Sequence, residues 1–221
     1  METSEGLGAP EPVAGWVADE VQEEFPELRL ISVTLDARPG RSSPGVQQRL
    51  RGLSDRFRGA HAVTMRQDPI PWAYRVFYRH VGLDPDAERT PIEAAAVERL
   101  LRGRFKPANL LDDALLVALV ETGVPVWALD AARVSGTLGV RVAEEGERLG
   151  REAGAVPVYG GRLVLADEAG PLATLFDDPA PGHGVTKRTT RMVLYSLQVA
   201  GVPSIHVDEA LHTCVDALRS G

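Results

Sequence analysis

Few side chains in this 221-residue sequence have the type and spacing that chemistry asks for. The loop FDDPAPGHGVT at 176–186 carries His183 between Gly182 and Gly184, with Thr186 just after it. Glycines let backbone approach a ligand closely, and a histidine titrating near neutrality suits proton transfer. The plainer reading of His183 is a solvent-exposed loop residue. Thr186, Thr189 and Thr190 either present hydroxyls beside this loop or simply favour the extended backbone of the strand that follows. A second polar group, Asn109 with Asp112 and Asp113, heads the apolar run LLDDALLVALVETG at 110–123. A carboxylate pair there would serve acid–base chemistry. The favoured alternative is a helix cap by Asn109, with both acids in the first turn opposing the helix dipole.

Much other chemistry is excluded by pattern. The sequence has no GxxxxGK[ST] phosphate loop, no GxGxxG after a strand, no HExxH and no GxSxG elbow. His206 and His212 are six apart, which turns them to different sides of a helix. With a single cysteine and scattered histidines, neither a metal site nor a bound cofactor is expected. Cys214 falls on the apolar side of the last helix and reads as core.

The elements that must hold these groups follow from periodicity and capping. Val13, Trp16, Val17 and Val21 at helical spacing predict a short helix over 13–24. LRLISVTLD at 28–36 alternates as a strand, and the turn ARPGRSS follows it. Ser43 with Pro44 opens a helix to about 57. A further amphipathic helix covers 70–83. TPIE at 90–93 is a capping box with Pro at the first helical position, opening a helix that stops at Gly103. The apolar run is a helix over about 110–122, and VPVWALD at 124–130 is a buried strand. Strands are expected over 137–143, 161–167, 172–176 and 190–199, and a closing helix over 207–219. Helices first and strands second give an α+β class.

Composition bounds the setting. At 44% hydrophobic and 25% charged, the chain has the make-up of a globular domain. One cysteine fits a reducing, cytoplasmic location. No stretch approaches the roughly 20 apolar residues of a membrane helix, and no secretion signal is visible. Residues 1–28 hold eight acids and no Lys or Arg. Subtracting these from the 31 acids leaves 23 against 24 basic residues, so the net charge of −7 belongs to the leader. The expected division is therefore a partly disordered acidic leader, 1–27, and one domain over 28–221. Basic residues cluster at 49–59 and 186–191. Such clusters meet a few phosphates or form a solvated face; no DNA-binding stripe is present.

The order of segments resembles the B3/B4 domain of the phenylalanyl-tRNA synthetase beta subunit, and most closely its free-standing relatives. The resemblance rests on YRHVGLDPDAERTPIEAAAVERLLRGRFKPANLLDDALLVALVETGVPVWALD (78–130), GTLGVRVAEEGERLG (136–150), GRLVLAD (161–167) and VTKRTTRMVL (185–194). It implies a three-layer α+β fold containing an unusual β-sandwich with flanking helices. In the synthetase this tRNA-editing module hydrolyses tyrosine wrongly attached to tRNA. A positioned water attacks the ester, without metal or protein nucleophile. A Thr-Asn pair of that pocket aligns with Leu115 and Leu116, and a histidine aligns with Trp127; all three positions are apolar here. The glycine-rich loop of the pocket aligns with Gly182, His183 and Gly184, followed by Thr186. The resemblance thus implies a cleft lined by Leu115, Leu116, Trp127, Gly182, Gly184 and Thr189, with His183 and Thr186 as its catalytic groups. Three functions stay open. The first is hydrolysis of a mischarged aminoacyl-tRNA in trans. The second is non-catalytic binding of an amino acid, another small molecule or tRNA. The third is partner binding through the acidic leader.

Overall fold

In the computed structural model, described for residues 10–57, 59, 64–150 and 154–220, short strands in the N-terminal segment link two sheets. Strands β1 (Val13–Ala14) and β2 (Trp16–Val17) precede helix α1 (Asp19–Glu24). β1 pairs with β3 (Arg29–Asp36), and β2 runs parallel to β5 (Gly139–Val142). The helix expected over 13–24 is thus cut to its last six residues. Val21 stays on that helix, but Val13, Trp16 and Val17 serve strands instead, because Gly15 N bonds Leu30 O and Trp16 N bonds Leu138 O. Gly139 makes this possible: a Cβ there would lie 2.0 Å from the Trp16 ring. The leader's acids Asp19, Glu20, Glu23 and Glu24 therefore sit on a helix tied into the fold. The disorder expected of residues 1–9 lies outside the described residues.

Local signals explain the helices that follow. Ser43 caps α2 (Pro44–Arg56) by accepting from Val46 N. α3 is Pro69–His80 and α4 is Pro91–Arg102. Glu93 Oε2 reaches back to Thr90 N (3.2 Å) and Thr90 Oγ1 (2.8 Å), and Gly103 ends α4. α5 (Leu110–Thr122) starts at Asn109, whose Oδ1 accepts from Asp112 N at 3.0 Å.

The remaining elements are β4 (Trp127–Asp130), β5, β6 (Arg148–Leu149), β7 (Val156–Pro157), β8 (Leu163–Asp167), β9 (Gly170–Thr174), β10 (Arg191–Gln198) and α6 (Ser204–Arg219). One four-stranded sheet has the order β1-β3-β10-β4 and a second has β2-β5-β8-β9. β10 lies antiparallel to both β3 and β4, pairing Met192 with Leu35 and with Asp130. The two sheets share one apolar core, where Leu30, Met192 and Leu194 meet Val140, Leu165 and Leu172. α6 packs on β10 and β3, and α5 packs on α6 and α2. Cys214 is wholly buried within α6, and burial pushes its thiol well above the usual range. A smaller cluster of Leu50, Leu53, Phe57, Ile92, Phe105 and Val117 joins α2, α4 and α5. The architecture is mixed α+β, as the element order implied. No described helix is long and apolar enough to cross a membrane.

Candidate functional site

The loop between β9 and β10 is fastened at three points. Phe176, at φ 71° the sole non-glycine with positive φ among the described residues, anchors its start. Such a backbone costs on the order of 1–3 kcal/mol. Its ring is held against Tyr78 (4.4 Å between centroids), Phe77 (5.8 Å) and Trp127 (5.7 Å). In the middle, His183 O accepts from Asp130 N at 3.0 Å, and His183 Nδ1 lies 3.1 Å from Arg133 O. A carbonyl only accepts, so this contact assigns the proton to Nδ1. At the end, Thr189 Oγ1 accepts from Thr186 N (3.0 Å) and donates to Asp130 Oδ2 (2.6 Å).

These contacts correct the exposed-loop reading of His183, which is 4% exposed. Its ring is drawn inward by the Arg133 carbonyl. Thr189, at 2% exposure, is likewise an internal fastener. Thr186 is exposed; its Oγ1 accepts from Arg188 N at 3.3 Å and lies 3.4 Å from Thr189 Oγ1, a long contact in which Thr186 is the donor because the Thr189 proton goes to Asp130. Gly182, at φ 86°, turns the chain where a side chain would be strained, and it is exposed; Gly184 is half-buried.

Thr186 faces the start of α5 across a cavity of about 440 Å³, lined also by Gly40, Asn109, Leu111, Asp112 and Lys187. That volume suits an amino acid or similarly small group. Asn109 Nδ2 donates to Asp112 Oδ2 at 2.6 Å, and the Asp112 side is exposed. The opposite wall, Pro39–Gly40, is tied in by Leu110 N, which donates to Gly40 O at 2.9 Å. Asp113 is buried and structural: it accepts from Ser42 Oγ and from Ala108 N (2.9 Å). The four basic residues beside the lining segments, Arg38, Arg41, Lys187 and Arg188, are all exposed. Among the described residues none of them forms an ion pair. A cavity of similar size, about 450 Å³, lies at the far end of α5 beside Ile70, Gly123 and His206; none of the candidate residues lines it.

The sequence-chosen residues are thus only partly brought together. Leu115 packs on the main core with Trp127, whereas Leu116 packs on the smaller cluster with Ala95 and Val120. Neighbours on a helix point about 100° apart, so one pocket rarely receives both. Trp127 is stacked on Tyr195 at 5.7 Å and 18° and lies against Phe176. At the position where the resemblance implied a histidine, this chain builds an aromatic stack. Sequence reasoning missed the Pro39–Gly40 wall and saw Lys187 only as part of the basic cluster at 186–191; the turn ARPGRSS gave a bend but not its destination.

The B3/4 domain family matches residues 73–209, and the chain belongs to that family. It is 31% identical over 183 residues to the phenylalanine–tRNA ligase beta subunit of Streptomyces avermitilis, covering 74% of this chain and 21% of that protein. The same subunit from Cutibacterium acnes is 32% identical over 105 residues, covering 47% and 12%. This chain therefore spans only a small part of the length of these relatives. Among solved structures, an N-terminal fragment of the phenylalanyl-tRNA synthetase beta subunit from Pyrococcus horikoshii is similar. It has a TM-score of 0.40 and 16% identity, over 50% of this chain and 40% of that one.

Proposed function

We propose that the domain receives the aminoacylated 3′ end of a tRNA and hydrolyses a mischarged ester in trans. The observation that carries this reading is the cavity in which Asp112 and Asn109 face Thr186. The exposed Arg38, Arg41, Lys187 and Arg188 beside it favour a polyanion at its mouth. Family membership supports a tRNA-linked substrate, and such a substrate fits a cytoplasmic setting. In this reading the Asp112 carboxylate, oriented by Asn109, takes a proton from water as the water oxygen attacks the ester carbonyl. The Thr186 hydroxyl donates to the developing oxyanion. Collapse breaks the bond to the ribose oxygen, which takes the proton back, giving free amino acid and tRNA. His183 holds the loop in place rather than touching substrate.

A panel of mischarged tRNAs tests this directly. Turnover is expected for at least one, falling about a hundredfold or more in Asp112→Asn or Thr186→Val. Buffer-rate hydrolysis across the panel would overturn it. A second reading, binding without catalysis, is favoured by the inward-turned His183 ring and by Trp127 stacked on Tyr195. It predicts tight binding of a non-hydrolysable aminoacyl-adenosine amide, with no turnover of any ester.

A further inference from the structure

A second basic surface lies apart from the cavity mouth and is assembled from two segments distant in sequence. Phe105 N donates to Ser54 Oγ at 2.9 Å, and Arg99 Nη2 donates to Ser54 O at 2.9 Å. These bonds seat the stretch after α4 on the last turns of α2. They place the segment of Arg104 and Lys106, the neighbours of Phe105, against the part of α2 where Arg51 lies one turn before Ser54. All three are exposed. Among the described residues none of the three takes part in an ion pair, whereas Arg49, Arg56 and Arg102 nearby are matched to Glu121 or Glu98. In a chain of net charge −7, three exposed cations without an ion-pair partner on adjoining segments favour a polyanion.

The surface lies a short stretch of chain from the cavity. Lys106 stands three residues before Asn109, and α2 begins three residues after Arg41. Arg51 is seven residues further along that helix than Pro44, about 10 Å by helix rise. We infer that Arg51, Arg104 and Lys106 form a phosphate track for the RNA stem whose 3′ end enters the cavity. This inference rests on the tRNA reading above and extends it to a surface that lines no part of the cavity.

The test compares the 221-residue protein with a variant combining Arg51→Glu, Arg104→Glu and Lys106→Glu. Binding of a tRNA is followed by fluorescence anisotropy across a salt series, and binding of an aminoacyl-adenosine amide is measured in parallel. A melting curve checks the fold, and the corresponding Gln set replaces any Glu variant that melts early. The expected result is at least tenfold weaker tRNA binding, with unchanged affinity for the amide. The slope of log K against log salt should become shallower by about 2–3, since each lost phosphate contact removes roughly 0.7–0.9. Unchanged tRNA affinity and slope would overturn the track while leaving the cavity reading intact. Equal loss of both ligands in a folded variant would also overturn it, by assigning these residues to the cavity. Failure of the wild-type protein to bind either ligand would remove the cavity reading and the track together.

Discussion

Thr189 Oγ1 donates a 2.6 Å hydrogen bond to Asp130 Oδ2, joining the end of the glycine loop to the end of β4 across 59 positions. Thr189 is buried, so Thr189→Val removes the hydroxyl with little change of shape and leaves the Asp130 carboxylate to its bond from Ala132 N. Hydrogen bonds to charged groups contribute about 1.5–3 kcal/mol, and urea unfolding should fall by that amount. Thr186 N also loses its acceptor, so binding of the aminoacyl-adenosine amide should weaken as well. An unchanged urea midpoint would remove this bond from the account of the loop.

What the sequence made legible was local. Ser43–Pro44, Thr90–Pro91–Glu93 and Asn109 set helix starts because each cap satisfies backbone donors within four residues. Burial of Cys214 followed from the same short range. What stayed hidden depended on distant partners. The strand character of Trp16 needs the space left by Gly139, and the inward turn of His183 needs the Arg133 carbonyl 50 residues earlier. Both Asp112 and Thr186 were visible as polar groups. Their facing one another needed the Gly40–Leu110 bond that closes the third wall.

Trp127→His would introduce the residue type that the resemblance implies at this position. Here it would give up the stack on Tyr195 and the contact with Phe176. Each aromatic pair contributes about 0.5–1.5 kcal/mol beyond burial, so the variant should lose about 1–3 kcal/mol in chemical denaturation. Phe176, with its strained backbone, would then be less firmly held, and the glycine loop should exchange amide hydrogens faster. Wild-type stability in this variant would mean that the stack carries no energy.

Asp113 gives a sharper stability prediction. It is 1% exposed and accepts from both Ser42 Oγ and Ala108 N. Asp113→Ala strands two donors beneath the cavity wall, and each stranded group costs about 1–3 kcal/mol. A total loss of about 3 kcal/mol is expected, with Ser42→Ala costing about 1.5–3 kcal/mol because it leaves one oxygen of the buried carboxylate unpaired. The two substitutions share one contact, so a double-mutant cycle should show strong non-additivity. Simple addition would argue against a shared network.

The acid limb of stability should be set in part by Glu147 and Asp86. The hydrogen bonds from Arg141 to Glu147, one of them 2.8 Å, hold that carboxyl below the usual glutamate range, aided by Glu144 N. Arg75 does the same for Asp86 through a 2.6 Å bond. A carboxyl whose folded pKa is lowered adds stability that is fully present above its unfolded value. That stability drains away as pH falls through the folded value. Wild-type stability should therefore decline below about pH 4, the unperturbed carboxylate range. Glu147→Gln should be less stable at pH 7, and its stability should change less between pH 5 and 3. Denaturation at stepped pH reads this slope, and parallel curves for the two proteins would show that the Arg141–Glu147 pair plays no part in it.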